Sequence, residues 1–247
     1  MHIMQMLGII SAVFFIALFL MCFFRDWLRA HPFINYLFIG ADVLVFFTWN
    51  YAAYELGWLE DGFMTLENIS PFICTLIPCT LILSKRINKY AYPAIAFLGF
   101  GMFLAMFISP EHAYLFSYKN EALFIHVSEA ACHLVMALYA FYLVLTDKVT
   151  LTLKNLVRSV IFMFSVVGYG VLLNLFFHRN NFGMDMYGSA SIYFIDIFDT
   201  FAATFIAYLF GIFAVLCLGF LTSYLVDKLS KSPTEKKNAP TDTEENR

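Results

Sequence analysis

Long apolar runs recur from one end of the chain to the other, and they limit its fold more than any other feature. Each run is close to the roughly 20 residues that an α-helix needs to cross a bilayer. The runs cover residues 5–24, 33–53, 69–84, 91–108, 122–146, 155–177 and 200–226. An isolated strand would leave backbone groups unpaired in hydrocarbon, so these runs must be helices. They predict an all-α, polytopic membrane bundle of about seven transmembrane helices.

Composition agrees with this class and excludes others. Hydrophobic residues make up 61% of the chain and charged residues only 13%. Soluble domains keep about a quarter of their residues charged. A β-barrel would need segments of about 10 residues with alternating polarity, and the sequence has none. The charges are divided among loops and form no basic face, so we expect membrane lipids and no nucleic acid as partners.

The basic residues predict how the chain is oriented in the membrane. The second, fourth and sixth loops carry only Lys119 and Arg179. The other thirteen lie in or beside the first, third and fifth loops or in the tail: Arg25, Arg29, Lys85, Arg86, Lys89, Lys148, Lys154, Arg158, Lys228, Lys231, Lys236, Lys237 and Arg247. Cytoplasmic loops are enriched in Lys and Arg. We therefore expect a multi-pass cell-membrane protein with its amino terminus outside and its carboxyl terminus in the cytoplasm.

The end of the chain differs from the rest. Residues 230–247 are polar, carry charges of both signs and include Pro233 and Pro240. Such a segment cannot bury enough apolar surface to fold. The sequence therefore predicts a seven-helix transmembrane domain over residues 1–229 and a disordered cytoplasmic tail over residues 230–247.

Several polar side chains fall inside the predicted spans. An ionisable group there is costly, and it usually faces the bundle interior to serve a site or pathway. His126, Glu129 and His133 have the spacing i, i+3, i+7, which places them on one face of the fifth span. The other spans contribute Asp42, Asn50, Cys74 and Asn174. Counted from the outer helix ends, the set predicts a polar cavity in the outer half of the bundle.

Cys74 is a candidate nucleophile. A cysteine in an apolar run is usually an inert small hydrophobe. This cysteine, however, lies between Pro71 and Pro78, which predict a kink in the third span, and at a depth that a histidine can reach. Nucleophilic use requires a base for the thiol proton and a donor for the oxyanion. His133 is the candidate base.

A metal site is not predicted. His126 and His133 are seven residues apart, which separates their rings by about 10 Å along a helix. That distance is too long for one zinc shell. The five cysteines lie in apolar runs without disulfide or zinc-ribbon spacing. We expect no metal and no other cofactor.

Three segments carry a resemblance to a known family. They are SPFICTLIP, CHLVMALYAFYLVL and NLFFHRNN. They resemble, in turn, the start of the third helix with its cysteine, the histidine of the fifth helix and the Asn-initiated motif that ends the sixth helix in the YwaF-like bacterial membrane proteins. That family is related to a eukaryotic transmembrane acyltransferase that moves acyl chains between phospholipids. The chain departs from the pattern at Phe72, where relatives often carry a polar residue, and at FGMDMYG after the Asn motif.

The resemblance implies lipid acyl transfer through a thioester. It assigns Cys74 as the nucleophile, His133 as the general base and Asn174 as the polarising donor, a role that Asn50 could also fill. Two other classes stay open. In a transporter or ligand-binding protein, the ionisable groups of the cavity would form a proton or ion relay: Asp42, His126, Glu129 and His133. In a non-catalytic scaffold, the polar groups would only lock helix packing.

Overall fold

The computed structural model describes residues 3–55, 69–108, 123–177 and 201–231. Every regular element in this part of the chain is an α-helix, which confirms the predicted class. The helices are α1 (Ile3–Phe23), α2 (Arg25–Ala30), α3 (Ile34–Glu55), α4 (Ile69–Cys79), α5 (Lys85–Ile108), α6 (Leu123–Leu145), α7 (Leu153–Phe177) and α8 (Phe201–Ser230). The predicted tail lies almost wholly outside the described residues.

Four of these helices are long and apolar enough to cross a membrane. They are α3, α6, α7 and α8. Their outer faces carry large hydrophobic side chains, for example Leu44 of α3, Phe176 of α7 and Phe210 of α8, each more than half exposed. Side chains of this kind are stable in contact with lipid and unfavourable in water. The described helices are therefore consistent with an integral membrane protein.

The centre of the bundle is α6. It packs against α5, α3 and α1. Four consecutive residues near its end, Ala140 to Leu143, are almost completely buried. A helix that buries consecutive residues is enclosed on all sides, because those residues point in different directions. Ser128, Glu129 and His133 of the same helix are buried as well, and so lie away from lipid.

Glycines allow α5 to approach its neighbours closely. Gly219 of α8 lies against the backbone of Phe97 on α5, and a Cβ atom there would overlap the Phe97 carbonyl group. At Gly99 a Cβ atom would lie 2.8 Å from the carbonyl oxygen of Met136 on α6. Close backbone approach through small residues is the usual packing of membrane helices. The two contacts hold α8 and α6 closely against α5.

Helix α4 is shorter than the predicted third span. It has 11 residues and ends at Cys79, where we expected a helix to residue 84. At 1.5 Å per residue it is about 16 Å long, roughly half of the hydrocarbon thickness. Both prolines belong to this helix, and Pro78 lies inside it, one residue before its end. A proline at this position removes one backbone hydrogen bond of the helix. The kink itself stays a prediction.

Two other boundaries differ from the prediction. The short helix α2 lies in what we expected to be a loop. Helix α5 begins at Lys85, six residues before the apolar run that predicted it. The hydroxyl oxygen of Ser84 accepts a hydrogen bond from the backbone N–H of Ile87 at 3.4 Å, as a helix cap does. The hydrophobic pattern alone does not contain this start signal.

A buried arginine holds one end of the bundle together. Arg25 is 3% exposed. It donates to the carbonyl oxygen of Leu145 at 3.2 Å and to the hydroxyl oxygen of Ser230 at 2.7 Å, and it forms an ion pair with Asp227. These contacts join α2, the end of α6 and the end of α8. The carboxyl ends of α1, α6 and α8 therefore lie at the same end of the bundle, which we call the arginine end.

Candidate intramembrane site

A cluster of buried polar side chains lies where α3, α4 and α6 meet. Helix α3 contributes Asp42, α4 contributes Ser70 and Cys74, and α6 contributes Cys132 and His133. All five are at most 5% exposed. Helix α4 contacts both α3 and α6. The short helix α4 therefore completes this cluster, which we call the α3–α4–α6 cluster.

The geometry of His133 is fixed by one partner on each ring nitrogen. Nδ1 lies 2.9 Å from the backbone carbonyl oxygen of Glu129, one turn earlier on α6. Nε2 lies 2.9 Å from the hydroxyl oxygen of Ser70 on α4. A carbonyl oxygen only accepts hydrogen bonds, so Nδ1 carries the proton of the neutral ring. Nε2 then accepts the hydrogen bond that the Ser70 hydroxyl donates.

Ser70 belongs to α4 and is 5% exposed. Its hydroxyl group is the partner that α4 offers to the ring of His133 on α6. The same side chain therefore joins the two helices and places a hydroxyl group beside an imidazole.

Cys74 lies one turn from Ser70 on the same face of α4. It is fully buried, and its thiol interacts with the thiol of Cys132 and with the carboxyl group of Asp42. The Asp42 interaction is electrostatic, because neither Asp42 oxygen is in hydrogen-bond geometry with a described group. The hydrogen-bond partner of the His133 Nε2 atom is Ser70 and not Cys74. The assignment of Cys74 as a nucleophile stays a prediction.

An apolar wall closes the cluster on the α3 side. The ring of Trp49 lies 6.2 Å from the ring of His133, between centroids. Trp49 packs with Phe46, Ala53 and Ile125 in the small hydrophobic cluster that also contains Cys74. Because each of these residues is at most 5% exposed, bulk water is kept away from the imidazole. Electrostatic interactions are stronger in such surroundings than in water.

The other predicted residues have separate positions. The amide nitrogen of Asn50 donates to the carbonyl oxygen of Phe46 at 2.8 Å within α3. Glu129 is buried on α6, and its carbonyl group orients His133. Asn174 is buried near the end of α7, a helix that packs mainly against α5 and α8. His126 belongs to α6, but its side chain lies outside the described residues.

Two residues of the cluster were not selected from the sequence. Ser70 was missed because a serine at a helix start is common and carries no charge. Its spacing of four residues before Cys74 was the available signal, since i and i+4 share a helical face. Cys132 was set aside because it points about 100° away from its neighbour His133. Only the position of α4 shows that this direction faces Cys74.

The part of the chain that the structure describes contains no group of three or more His, Cys, Asp or Glu side chains placed to hold a metal ion. An apolar hollow of about 340 Å³ lies at the arginine end, and no residue of the α3–α4–α6 cluster lines it. The lining residues are Leu20, Met21, Phe24, Trp27 and Leu28. The hollow and the cluster are therefore separate features.

Comparison with known proteins gives no family for this chain. No family model matches it. No curated protein matches it, and no solved structure matches it. Arguments about function therefore depend on the geometry of the cluster.

The arrangement combines two elements of nucleophilic catalysis. Ser70 supplies a hydroxyl group, and His133 supplies an acceptor nitrogen in the correct tautomer. A serine paired with a histidine, which is itself oriented by a third group, is the arrangement that acyl transfer uses. Here the orienting group is the backbone carbonyl of Glu129.

Proposed function

We propose that the protein is a membrane-embedded acyltransferase that exchanges acyl chains between lipids. Ser70 is the nucleophile and His133 the general base. The observation that carries this proposal is the hydrogen-bond chain from the Ser70 hydroxyl through the His133 ring to the Glu129 carbonyl. These hydrogen bonds connect α4 to α6 in apolar surroundings, where lipids are the natural substrates.

The reaction proceeds in two balanced steps. In the first, Oγ of Ser70 attacks the ester carbonyl carbon of a phospholipid while His133 Nε2 takes the hydroxyl proton. The tetrahedral intermediate expels the lysophospholipid alkoxide, which takes that proton from Nε2 to become a hydroxyl group, and acyl-Ser70 is formed. In the second step, the hydroxyl group of another lysolipid attacks acyl-Ser70, with Nε2 again accepting and returning the proton. No cofactor is needed.

We also propose kinship with the YwaF-like family. The support is the sequence resemblance described above, which implies Cys74 as the nucleophile with His133 as the base and Asn174 as the polarising donor. The hydrogen bond between His133 and Ser70, however, favours Ser70 as the nucleophile. Cys74 lies one turn further along α4, on the same helical face as Ser70. An ester or a thioester intermediate distinguishes them.

The proposed topology is seven crossings with the amino terminus outside the cell membrane. Apart from the six-residue α2, the described part of the chain contains seven helices. The predicted cytoplasmic loops carry Arg25, Arg29 and Lys148, and these residues lie at the arginine end. If that end is cytoplasmic, Ser70 at the start of α4 faces the outer half of the bilayer, and substrate lipids come from the outer leaflet.

Acyl exchange in lipid nanodiscs tests the proposal. The probe is a phosphatidylcholine with deuterated acyl chains, mixed with an unlabelled lysophospholipid, and the product is measured by mass spectrometry. We expect Ser70→Ala and His133→Ala to lower the exchange rate by about a hundredfold or more. Ser128→Ala is the matched control, because Ser128 is a buried serine of α6 whose hydroxyl donates to the carbonyl oxygen of Ile125 within its own helix.

The outcomes separate the alternatives. Loss of exchange in Cys74→Ala with full exchange in Ser70→Ala would assign the nucleophile to Cys74. Absence of exchange by the native protein would overturn the acyltransferase proposal. In that case the ion relay becomes the leading function, because the Asp42 carboxyl group is fully buried and neither of its oxygens has a hydrogen-bond partner among the described residues. Proton uptake that is lost in Asp42→Asn would then support the relay.

A further inference from the structure

Two buried thiols face each other beside the proposed acyl-transfer pair. Cys74 of α4 and Cys132 of α6 are both 0% exposed and belong to the same packed hydrophobic cluster. Their thiol groups interact directly. Neither thiol has a role in the Ser70–His133 chemistry. A pair of this kind, joining two helices that are far apart in the sequence, has the components of a disulfide.

A carboxyl group that can relay a proton lies next to the pair. Asp42 is 0% exposed and interacts with the Cys74 thiol. The described residues form no ion pair with Asp42, and burial disfavours an ionised carboxyl group, so Asp42 holds its proton. The reactive form of a cysteine is its thiolate. If Asp42 gives its proton to a leaving oxygen and takes the Cys74 proton, no net charge is added to the buried site.

We propose that Cys74 and Cys132 form a redox-active dithiol that closes to a disulfide between α4 and α6, with Asp42 as the proton relay. The oxidant is a small uncharged peroxide, because a fully buried thiol pair excludes bulky or charged reagents. Cys74 sulfur attacks one peroxide oxygen and the O–O bond breaks. Asp42 gives its proton to the leaving hydroxide and takes the Cys74 proton, so the step gives a Cys74 sulfenic acid and one water molecule.

The second step closes the disulfide. The Cys132 sulfur attacks the Cys74 sulfenic sulfur, and the S–O bond breaks. The leaving hydroxide takes the Cys132 proton and departs as a second water molecule. Overall, two thiols lose two protons and two electrons, and one hydrogen peroxide molecule is reduced to two water molecules.

The position of the pair links it to the neighbouring hydrogen bond. Cys74 lies one turn from Ser70 on α4, and Cys132 directly precedes His133 on α6. A disulfide would therefore connect the two helices whose relative position sets the Ser70–His133 distance. Oxidation is expected to hold these helices at one separation, whether or not the pair performs acyl transfer.

Peroxide titration of the reduced full-length protein in nanodiscs tests the proposal. The protein is treated with hydrogen peroxide, denatured and alkylated, and its labelled cysteines are counted by intact-mass analysis. The chain has five free cysteines. We expect the count to fall from five to three, with one cross-linked peptide pair that contains Cys74 and Cys132. Cys22, Cys79 and Cys217 should stay alkylated.

Three variants define the chemistry. Cys132→Ala should stop the disulfide and leave a Cys74 sulfenic acid that dimedone traps. Cys79→Ala, which removes another cysteine of α4, should leave the cross-link unchanged. Asp42→Asn should slow sulfenic acid formation by about a hundredfold, which is the usual size of a general acid–base effect. Retention of five labelled cysteines in the native protein, or a cross-link through any other pair, would overturn the proposal without reference to acyl exchange.

Discussion

Oγ of Ser70 and Nε2 of His133 lie 2.9 Å apart, and this hydrogen bond joins α4 to α6 inside the bundle. Both side chains are 5% exposed. Because His133 Nδ1 is held by a carbonyl oxygen, Nε2 can only accept. The bond therefore has a fixed direction, from the serine to the histidine. That direction is the one that deprotonation of a nucleophile requires.

The stability contribution of this bond is expected to be modest. Ser70→Ala leaves the Nε2 atom of His133 without its partner, and interhelical hydrogen bonds in membranes contribute about 1 kcal/mol. We expect unfolding in mixed detergent micelles to become easier by about that amount. Ser128→Ala is the control, because the hydroxyl group of Ser128 donates to a carbonyl oxygen of its own helix, that of Ile125. A loss of more than about 3 kcal/mol would mean that Ser70 serves packing more than chemistry.

Glycine contacts should control the packing of α8. Gly219→Ala places a Cβ atom into the backbone of Phe97, so the helices must separate. We expect a loss of about 1–3 kcal/mol in unfolding free energy. Gly211→Ala is the matched control on the same helix, because a Cβ atom there meets nothing within 4 Å. Equal stability of the two variants would contradict the α5–α8 packing described above.

Arg25 should be critical for the arginine end. Arg25→Met removes the buried guanidinium group that joins α2 to Leu145 and Asp227. Removal of one partner of a buried ion pair costs about 3–5 kcal/mol. We expect a loss near the lower value, since Lys231 lies 2.8 Å from the Asp227 carboxylate and remains as a partner. The exposed residue Asp26 provides the control, and Asp26→Asn should change stability by less than about 0.5 kcal/mol.

Lys148 predicts that the free energy of unfolding changes with pH above neutrality. It lies in the loop between α6 and α7, donates to Oδ1 of Asn35 at 2.6 Å, and burial lowers its pKa to about 8. In the unfolded chain the pKa of a lysine is about 10.4. Between these two values the unfolded state holds the proton that the folded state has lost, so stability rises with pH in this window. Below pH 8 both states are protonated, and the burial cost is present in full.

The measurement is the unfolding free energy of the native protein minus that of Lys148→Gln, at pH values from about 7 to 10. We expect the difference to be constant below about pH 8 and to rise above it. Lys154→Gln, a change at an exposed lysine of α7, is the control for general charge effects. A difference that falls as pH rises would contradict the assigned direction.

The sequence predicts the helices well, because the bilayer requires long apolar runs to be helical. The predicted run that ends at residue 146 matches the end of α6 at Leu145, and the run that begins at residue 155 lies two residues from the start of α7 at Leu153. Boundaries were missed where other forces decide them. Helix α4 ends early because Pro78 cannot continue it, and α5 begins early because Ser84 caps it. Helix α2 was missed because six residues make too short a periodic pattern.

The site was predicted only in part. His133 stood out because an ionisable group in an apolar run is costly, and it does lie in a buried polar cluster. Ser70 and Cys132 carry no such signal, because a serine or a cysteine is tolerated in almost any membrane helix. Their importance comes from distances between α4 and α6, which are far apart in the sequence. Spacing within one helix cannot give those distances.

The most direct test of the acyltransferase account is the intact mass of the protein after incubation with a synthetic phospholipid of one acyl length. The account predicts a mass increment of one acyl chain that resists neutral hydroxylamine, because Ser70 forms an oxygen ester. The increment should be absent from Ser70→Ala and present in Cys74→Ala. An increment that neutral hydroxylamine removes, and that Cys74→Ala abolishes, would contradict the account and assign the intermediate to a thioester.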